Sequence, residues 1–269
     1  MSTKVAFITG GSRGIGKAVA HKLAAEGWSI VIAAKTVEPH PKLEGTIYTA
    51  QAEVEKHGGE VLAVQCDVTS DESIAAAADE TLSRFGRIDA VINNAGALWW
   101  KNMEDTPPRR FDIMMNVNAR GAYNVTLAFL HQMKEQKFGH VICMSPPISR
   151  SLIPGRIAYS ISKFGMTFIA YGVAEEYAEY NIYGTALWPA TLVESQATIN
   201  HKIGDESQWR KAEVMADATF AALGHPELSN GKALYDEDIL RAVGCEDFDQ
   251  YDCVQGSTPT SIRLDNALG

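Results

Sequence analysis

Short apolar blocks recur along this chain, and most are followed by a longer stretch whose apolar residues keep helical spacing. Val5-Ala6-Phe7-Ile8-Thr9 lacks polar alternation, as a strand covered on both faces does. Similar blocks predict strands at Ser29 to Ala34, Val61 to Cys66, Ile88 to Asn93, His140 to Ser145 and Ile182 to Trp188, with a seventh at Lys232 to Tyr235. Helices are predicted from Lys17 to Glu26, from Ile47 to His57 with Gly58-Gly59 as its stop, and over the alanine-rich Asp71 to Phe85. Two longer helices follow, Arg109 to Lys134 with a break near Asn118, and Tyr159 to Tyr180. Pro39 and Pro41 exclude a continuous helix between Lys35 and Thr46.

Strand and helix alternate without linker, repeat or low-complexity segment. This predicts a single doubly wound α/β (Rossmann) domain over residues 1–269, a parallel sheet of about seven strands with helices on both faces. Thr191 to Arg210 reads as a less regular excursion. Glu246 to Gly269 is polar, and is expected to wrap the surface or to fray.

Composition narrows the function classes. The 269 residues are 46% hydrophobic, enough for one large core, and carry a formal charge of -9. The acidic balance argues against a general affinity for nucleic acid or anionic lipid, so a polyanionic ligand must meet a local basic site. Cys66, Cys143, Cys245 and Cys253 show neither CxxC pairing nor metal-type spacing with histidine, and read as reduced thiols with no metal site. No apolar run approaches the roughly 20 residues of a membrane span. The sequence opens on a strand without a charged-then-apolar leader, and Ala267-Leu268-Gly269 is not a peroxisomal address. These features predict a cytoplasmic, soluble protein.

Thr9-Gly10-Gly11-Ser12-Arg13-Gly14-Ile15-Gly16 lies between the first strand and the first helix. Glycines there allow a tight turn and let backbone N–H groups approach a pyrophosphate at the positive end of a helix. A second constellation is Tyr159 with Lys163, one helical turn apart and so on one face. A phenol titrates near ~10 and a neighbouring ammonium favours its phenolate, so such a pair suits acid–base work.

The TGGSRGIG turn, Asn93-Asn94-Ala95-Gly96 after the fourth strand, and the Tyr159/Lys163 pair together resemble the short-chain dehydrogenase/reductase family. The order and spacing of the three motifs fit it over nearly the whole chain. The resemblance implies an oxidoreductase in which Tyr159 exchanges a proton with an alcohol or carbonyl oxygen. Lys163 would hold the nicotinamide ribose and lower the tyrosine pKa, and Asn118 would support a proton-relay water. Gly10, Ser12, Arg13, Gly14, Ile15, Gly16, Asp67, Asn94 and Pro189 would line the cofactor site, and Ser195 or Thr191 would meet the carboxamide. The second strand ends Ala33-Ala34-Lys35-Thr36 without a carboxylate, and Lys35 and Arg13 suit a 2′-phosphate, so the expected cofactor is NADP(H).

One position departs from the pattern. The family's substrate-orienting serine falls thirteen residues before the tyrosine, where this chain has Pro146. A proline donates no hydrogen bond to a substrate oxygen. Ser145 is the first candidate for the role and Ser149 the next. Pro189-Ala190 likewise replaces the usual Pro-Gly.

Trp99, Trp100 and Trp188 stand near the carboxyl ends of strands, which predicts a wide apolar pocket for an aliphatic, isoprenoid or steroid-like alcohol or carbonyl. Two alternatives stand beside this reading. One is an NADP(H)-binding sensor or scaffold with chemistry impaired by Pro146; the other is an enoyl or dienoyl thioester reductase, which the four-residue Tyr–Lys spacing opposes. By resemblance, the two long helices form a four-helix contact in a homodimer or homotetramer.

Overall fold

The computed structural model describes residues 3–39 and 45–263. Pro41 and residues 264–269 of the tail therefore lie outside the described residues. The apolar blocks form β1 (Val5–Thr9), β2 (Ser29–Ala34), β3 (Val61–Gln65), β4 (Ala90–Asn93), β5 (Gly139–Met144) and β6 (Ile182–Trp188). Two-residue strands β7 (Leu192–Val193) and β8 (Trp209–Arg210) pair in a small sheet of their own, and β9 (Lys232–Tyr235) closes the main sheet. That sheet runs β3-β2-β1-β4-β5-β6-β9, with every pair parallel. Strand order reverses between β1 and β4, and the crevice at their carboxyl ends is where this architecture binds ligands.

Two apolar clusters cover the two faces. One buries Ile8, Ile30 and Ile32 with Val19 and Leu23; the other buries Phe7, Val31 and Val91 with Phe129 and Met166. Successive residues of one strand thus enter opposite cores, which explains the unbroken apolar runs.

The first helix, α1 (Gly14–Ala25), begins three residues earlier than the predicted Lys17. The end of the glycine turn, Gly14 to Gly16, is therefore part of the first turn of the helix. The helices α2 (Ile47–Val54) and α3 (Asp71–Phe85) start at Thr46 and Ser70, whose side chains cap them, and Gly86 ends α3 with φ 67°. The predicted break near Asn118 is a π-helical segment, Met115–Arg120, between α4 (Pro108–Met114) and α5 (Gly121–Gln136). Then come α6 (Ile157–Glu176) and the short α7 (Gln196–His201).

The pattern assigns no element to residues 211–231, where the chain forms α8 (Glu213–Gly224) and α9 (Pro226–Ser229). Val214, Met215, Ala216, Ala218, Ala221, Ala222 and Leu223 of α8 are all buried. A helix apolar on every side carries little periodic signal. The last helix is α10 (Asp236–Ala242).

Residues 246–263 pack closely. Phe248 and Tyr251 enter the core, and Leu192 N and Ile262 N donate to Thr260 O and Ala190 O at 3.0 and 2.8 Å, strapping this segment along 190–192. Among the described residues, no helix is long and apolar enough to cross a membrane.

Candidate active site

The glycine turn opens one end of a cavity of about 600 Å³. Gly10 and Gly14 have φ of 65° and 51°, a left-handed backbone that side chains resist. A Cβ on Gly16 would lie 2.5 Å from both Gly10 O and Asn94 Nδ2, so only glycine fits where α1 meets β4. Arg13 occupies the N-cap position of α1 and makes no side-chain cap bond. The first N–H groups of a helix have no intrahelical acceptor and suit an anion. Arg13 Nη2 donates to Gly45 O at 3.3 Å, and burial lowers its pKa. Lys35 lines the same end from the exposed tip of β2. Burial raises the Asp67 pKa, but bonds from Thr69 N–H and Oγ1–H and the charge of Lys35 outweigh it, so this carboxyl titrates below its ordinary value.

Asn94 braces the floor. Its Nδ2 donates to Thr9 O at 2.9 Å and to Gly10 O at 3.3 Å, while Thr9 Oγ1 accepts from the N–H groups of Asn94 and Ala95, both at 3.0 Å. Asn118 is wholly buried and does not line the cavity. Its Oδ1 accepts from Ala97 N at 2.7 Å, and its Nδ2 donates to Ala97 O at 3.0 Å and Ser162 Oγ at 2.9 Å. Ser162 Oγ in turn donates to Tyr159 O at 2.7 Å. The Asn118 side chain thus ties the π segment to the Gly96–Ala97 loop and to α6.

Tyr159 and Lys163 both line the cavity, one turn apart on α6. Lys163 Nζ donates to Met144 O at 2.8 Å, and burial lowers its pKa to about 8. Burial raises the Tyr159 phenol well above its ordinary value, and the opposing cation is Arg156. Arg156 is a residue the sequence pattern did not single out. The signal was its i,i+3 spacing to Tyr159, which puts both on the cavity side of the helix start. Its guanidinium lies 4.4 Å from the centroid of the Trp100 ring, and Trp100 meets Tyr159 edge to face at 6.1 Å.

The two candidate serines are both held by neighbouring side chains, and one of them lines the cavity. Ser145 lines the cavity, and its Oγ is already engaged: it pairs with Thr167 Oγ1 at 2.9 Å and accepts from Trp188 Nε1 at 3.1 Å. Ser149 Oγ accepts from Ser151 N at 3.1 Å, pairs with Ser151 Oγ at 2.8 Å, and Ser149 is not among the cavity-lining residues. Pro146 and Pro147 do line it. Of the three tryptophans, only Trp100 reaches the cavity. Trp99 stacks on Arg110, and Trp188 is buried against Tyr235. Ser195 lines the cavity, yet its Oγ caps α7 by accepting from Thr198 N at 3.1 Å. Thr191 Oγ1 is buried without a partner, which favours it for a ligand amide.

Pro189 lines the cavity, and the loop after it is held by an unforeseen residue. Asp236 Oδ1 accepts from Ala190 N at 2.9 Å and Glu237 N at 2.7 Å; burial pushes this carboxyl up to about 7. Among the described residues, no group of three or more His, Cys, Asp or Glu is arranged to hold a metal.

The arrangement matches known proteins along its length. A family model described as short chain dehydrogenase matches residues 4–204. Hydroxysteroid dehydrogenase-like protein 2 of Homo sapiens is 44% identical over 248 residues, covering 91% of this chain and 59% of that protein. The chain thus spans about three fifths of the length of that relative. A short chain dehydrogenase from Mycobacterium thermoresistibile superposes with TM-score 0.90 at 40% identity, covering 100% of this chain and 97% of the other. A metagenomic short-chain oxidoreductase in complex with NADP is 27% identical with TM-score 0.73, covering 87% and 96%. An NAD+-bound xylitol dehydrogenase is 25% identical with TM-score 0.75, covering 87% and 97%. With the glycine turn, the Asn94 brace and the Tyr159/Lys163 face in one crevice, this chain belongs to the short-chain dehydrogenase family of oxidoreductases.

Proposed function

We propose that this protein is an NADP(H)-linked oxidoreductase acting on an apolar alcohol or carbonyl compound of aliphatic, isoprenoid or steroid-like type. The observation that carries the reading is that Tyr159, Lys163 and the glycine turn line one continuous cavity. A phosphorylated dinucleotide fits the residues present: uncapped helix N–H groups at Gly14–Gly16, Arg13 and Lys35 at the ribose end, and the orphaned Thr191 hydroxyl further along. The bound cofactor supplies or accepts the hydride. Tyr159 passes a proton to the carbonyl oxygen, or takes one from the alcohol. Lys163 holds the ribose hydroxyls at the same place, and its lowered pKa makes it a proton carrier near neutrality. Asn118 keeps Ala97 and α6 in register.

Exposed apolar residues support self-association, as a homodimer or a homotetramer. Tyr123 and Leu127 stand one turn apart on α5, and Ile161 and Phe168 project from α6. The four free cysteines suit a reducing compartment such as the cytoplasm.

The test is NADPH oxidation with a panel of medium-chain aldehydes and ketones. Turnover is expected, and Tyr159→Phe is expected to reduce it roughly 10²–10⁴-fold while leaving NADPH binding intact. The second reading, a nucleotide-binding sensor, draws on Pro146 and on the Ser145 hydroxyl being held by Trp188. Tight NADPH binding without turnover of any panel member would select it.

A further inference from the structure

Among the described residues four cations line the cavity, and three have evident duties. Arg13 and Lys35 stand at the glycine-turn end, and Lys163 donates to Met144 O. Arg156 remains. Among the described residues no carboxylate pairs with it, and its guanidinium is held only by the Trp100 ring and the field of Tyr159. Its backbone is anchored on both sides, with Arg156 N donating to Ile153 O at 3.0 Å and Ser160 N donating to Arg156 O at 2.8 Å.

Beside it, Trp100 Nε1 is a buried donor without an acceptor. A buried indole N–H ordinarily finds a partner, and an orphan beside a ligand cavity points to one supplied by the ligand. Other lining residues include Leu98, Ile113, Leu152, Ile203 and Ile262, all apolar. A lone guanidinium set in apolar walls, in a chain of net charge -9, is a costly arrangement unless an anion joins it.

We propose that Arg156, carried on the face of Trp100 beside Tyr159, is the docking cation for a carboxylate on the substrate. The inference rests on the oxidoreductase reading and narrows its substrate to an apolar-chain hydroxy or oxo acid. A single monovalent cation matches a monoanion. The several phosphates of a coenzyme A carrier would require a basic cluster beside Arg156, and the described lining residues supply none there. Trp100 Nε1 then donates to an oxygen of the same carboxylate. Hydride and proton transfer are unchanged: the carboxylate binds and takes no part in bond making.

The test compares ligands of one shape and two charges. Decanoate and decanamide are titrated into the NADPH complex, with tryptophan fluorescence and calorimetry as readouts. Decanoate is expected to bind at least tenfold more tightly. Arg156→Met is expected to erase the preference, and Arg156→Lys to retain part of it. NADPH titration of each variant verifies that its cofactor site is folded. Equal affinity for acid and amide in the unaltered protein overturns the proposal, as does a preference for acid that persists in Arg156→Met. These are binding measurements, so they stand apart from turnover. A protein that prefers decanoate but oxidises no NADPH with the aldehyde and ketone panel or with any medium-chain oxo acid overturns the oxidoreductase reading instead.

Discussion

Trp188 Nε1 donates to Ser145 Oγ at 3.1 Å, and Thr167 Oγ1 closes the same hydroxyl from the other side at 2.9 Å. The serine adjacent to Pro146 therefore secures the packing of β6 on α6. Ser145→Ala is expected to lower stability by about 1 kcal/mol, since Trp188 Nε1 keeps Thr167 Oγ1 within reach. Turnover should change less than tenfold. A loss of roughly 10²–10³ in kcat, as when an oxyanion donor is removed, would assign the serine to the substrate after all.

The proposed preference for NADP(H) assigns the 2′-phosphate to Lys35 and Arg13. Charge-assisted hydrogen bonds contribute about 1.5–3 kcal/mol, so Lys35→Asp should cut the preference for NADPH over NADH by roughly tenfold to a hundredfold. The ratio of kcat/KM with the two cofactors measures this. An unchanged ratio would remove Lys35 from the 2′-phosphate site.

Asp236 gives a pH signature. Burial raises its pKa from 3.8 to about 7, so the folded state keeps a proton that the unfolded chain has lost. Between about pH 4 and 7 this group therefore makes stability fall as pH rises. Asp236→Asn retains the acceptor for Ala190 N and Glu237 N and removes the charge. Relative to the unaltered protein, the variant should gain up to about 4 kcal/mol on moving from pH 4 to pH 8. Urea unfolding at the two pH values checks it, and an identical difference at both would refute the assignment.

His140 acts in the opposite sense. It is buried with a ring nitrogen 2.8 Å from Thr185 Oγ1, and burial lowers its pKa from 6.5 to about 3. The unfolded chain binds the proton first, so stability falls as pH drops from about 6.5 toward 3. Acid unfolding of Asp236→Asn should accordingly be steeper than that of the unaltered protein, because the opposing slope is gone. Parallel acid limbs in the two proteins would contradict this pairing.

Gly16→Ala tests the close approach of α1 to β4. Its Cβ would meet Gly10 O, a backbone atom, at 2.5 Å. Thermal unfolding should drop by several degrees for a cost of about 1–3 kcal/mol, and NADPH affinity should fall with it. Unaltered affinity together with unaltered stability would show that the turn yields freely.

The sequence alone determined the seven strands of the main sheet and their parallel arrangement. Unbroken apolar blocks and the turns between them are local patterns, and β1, β2, β6, α3 and β9 follow them residue for residue. It also located the glycine turn and the Tyr159/Lys163 pair, because spacing within one turn or one helix is a property of the chain itself. Only the tertiary structure decided which hydroxyls and cations face the cavity. Ser145 and Trp188 are 43 residues apart, and their bond depends on β5 and β6 lying side by side. Arg156 acquires its meaning from Trp100, which the β4–α4 connection brings over it. Side-chain direction follows from packing between distant segments, and packing is what a one-dimensional pattern does not contain.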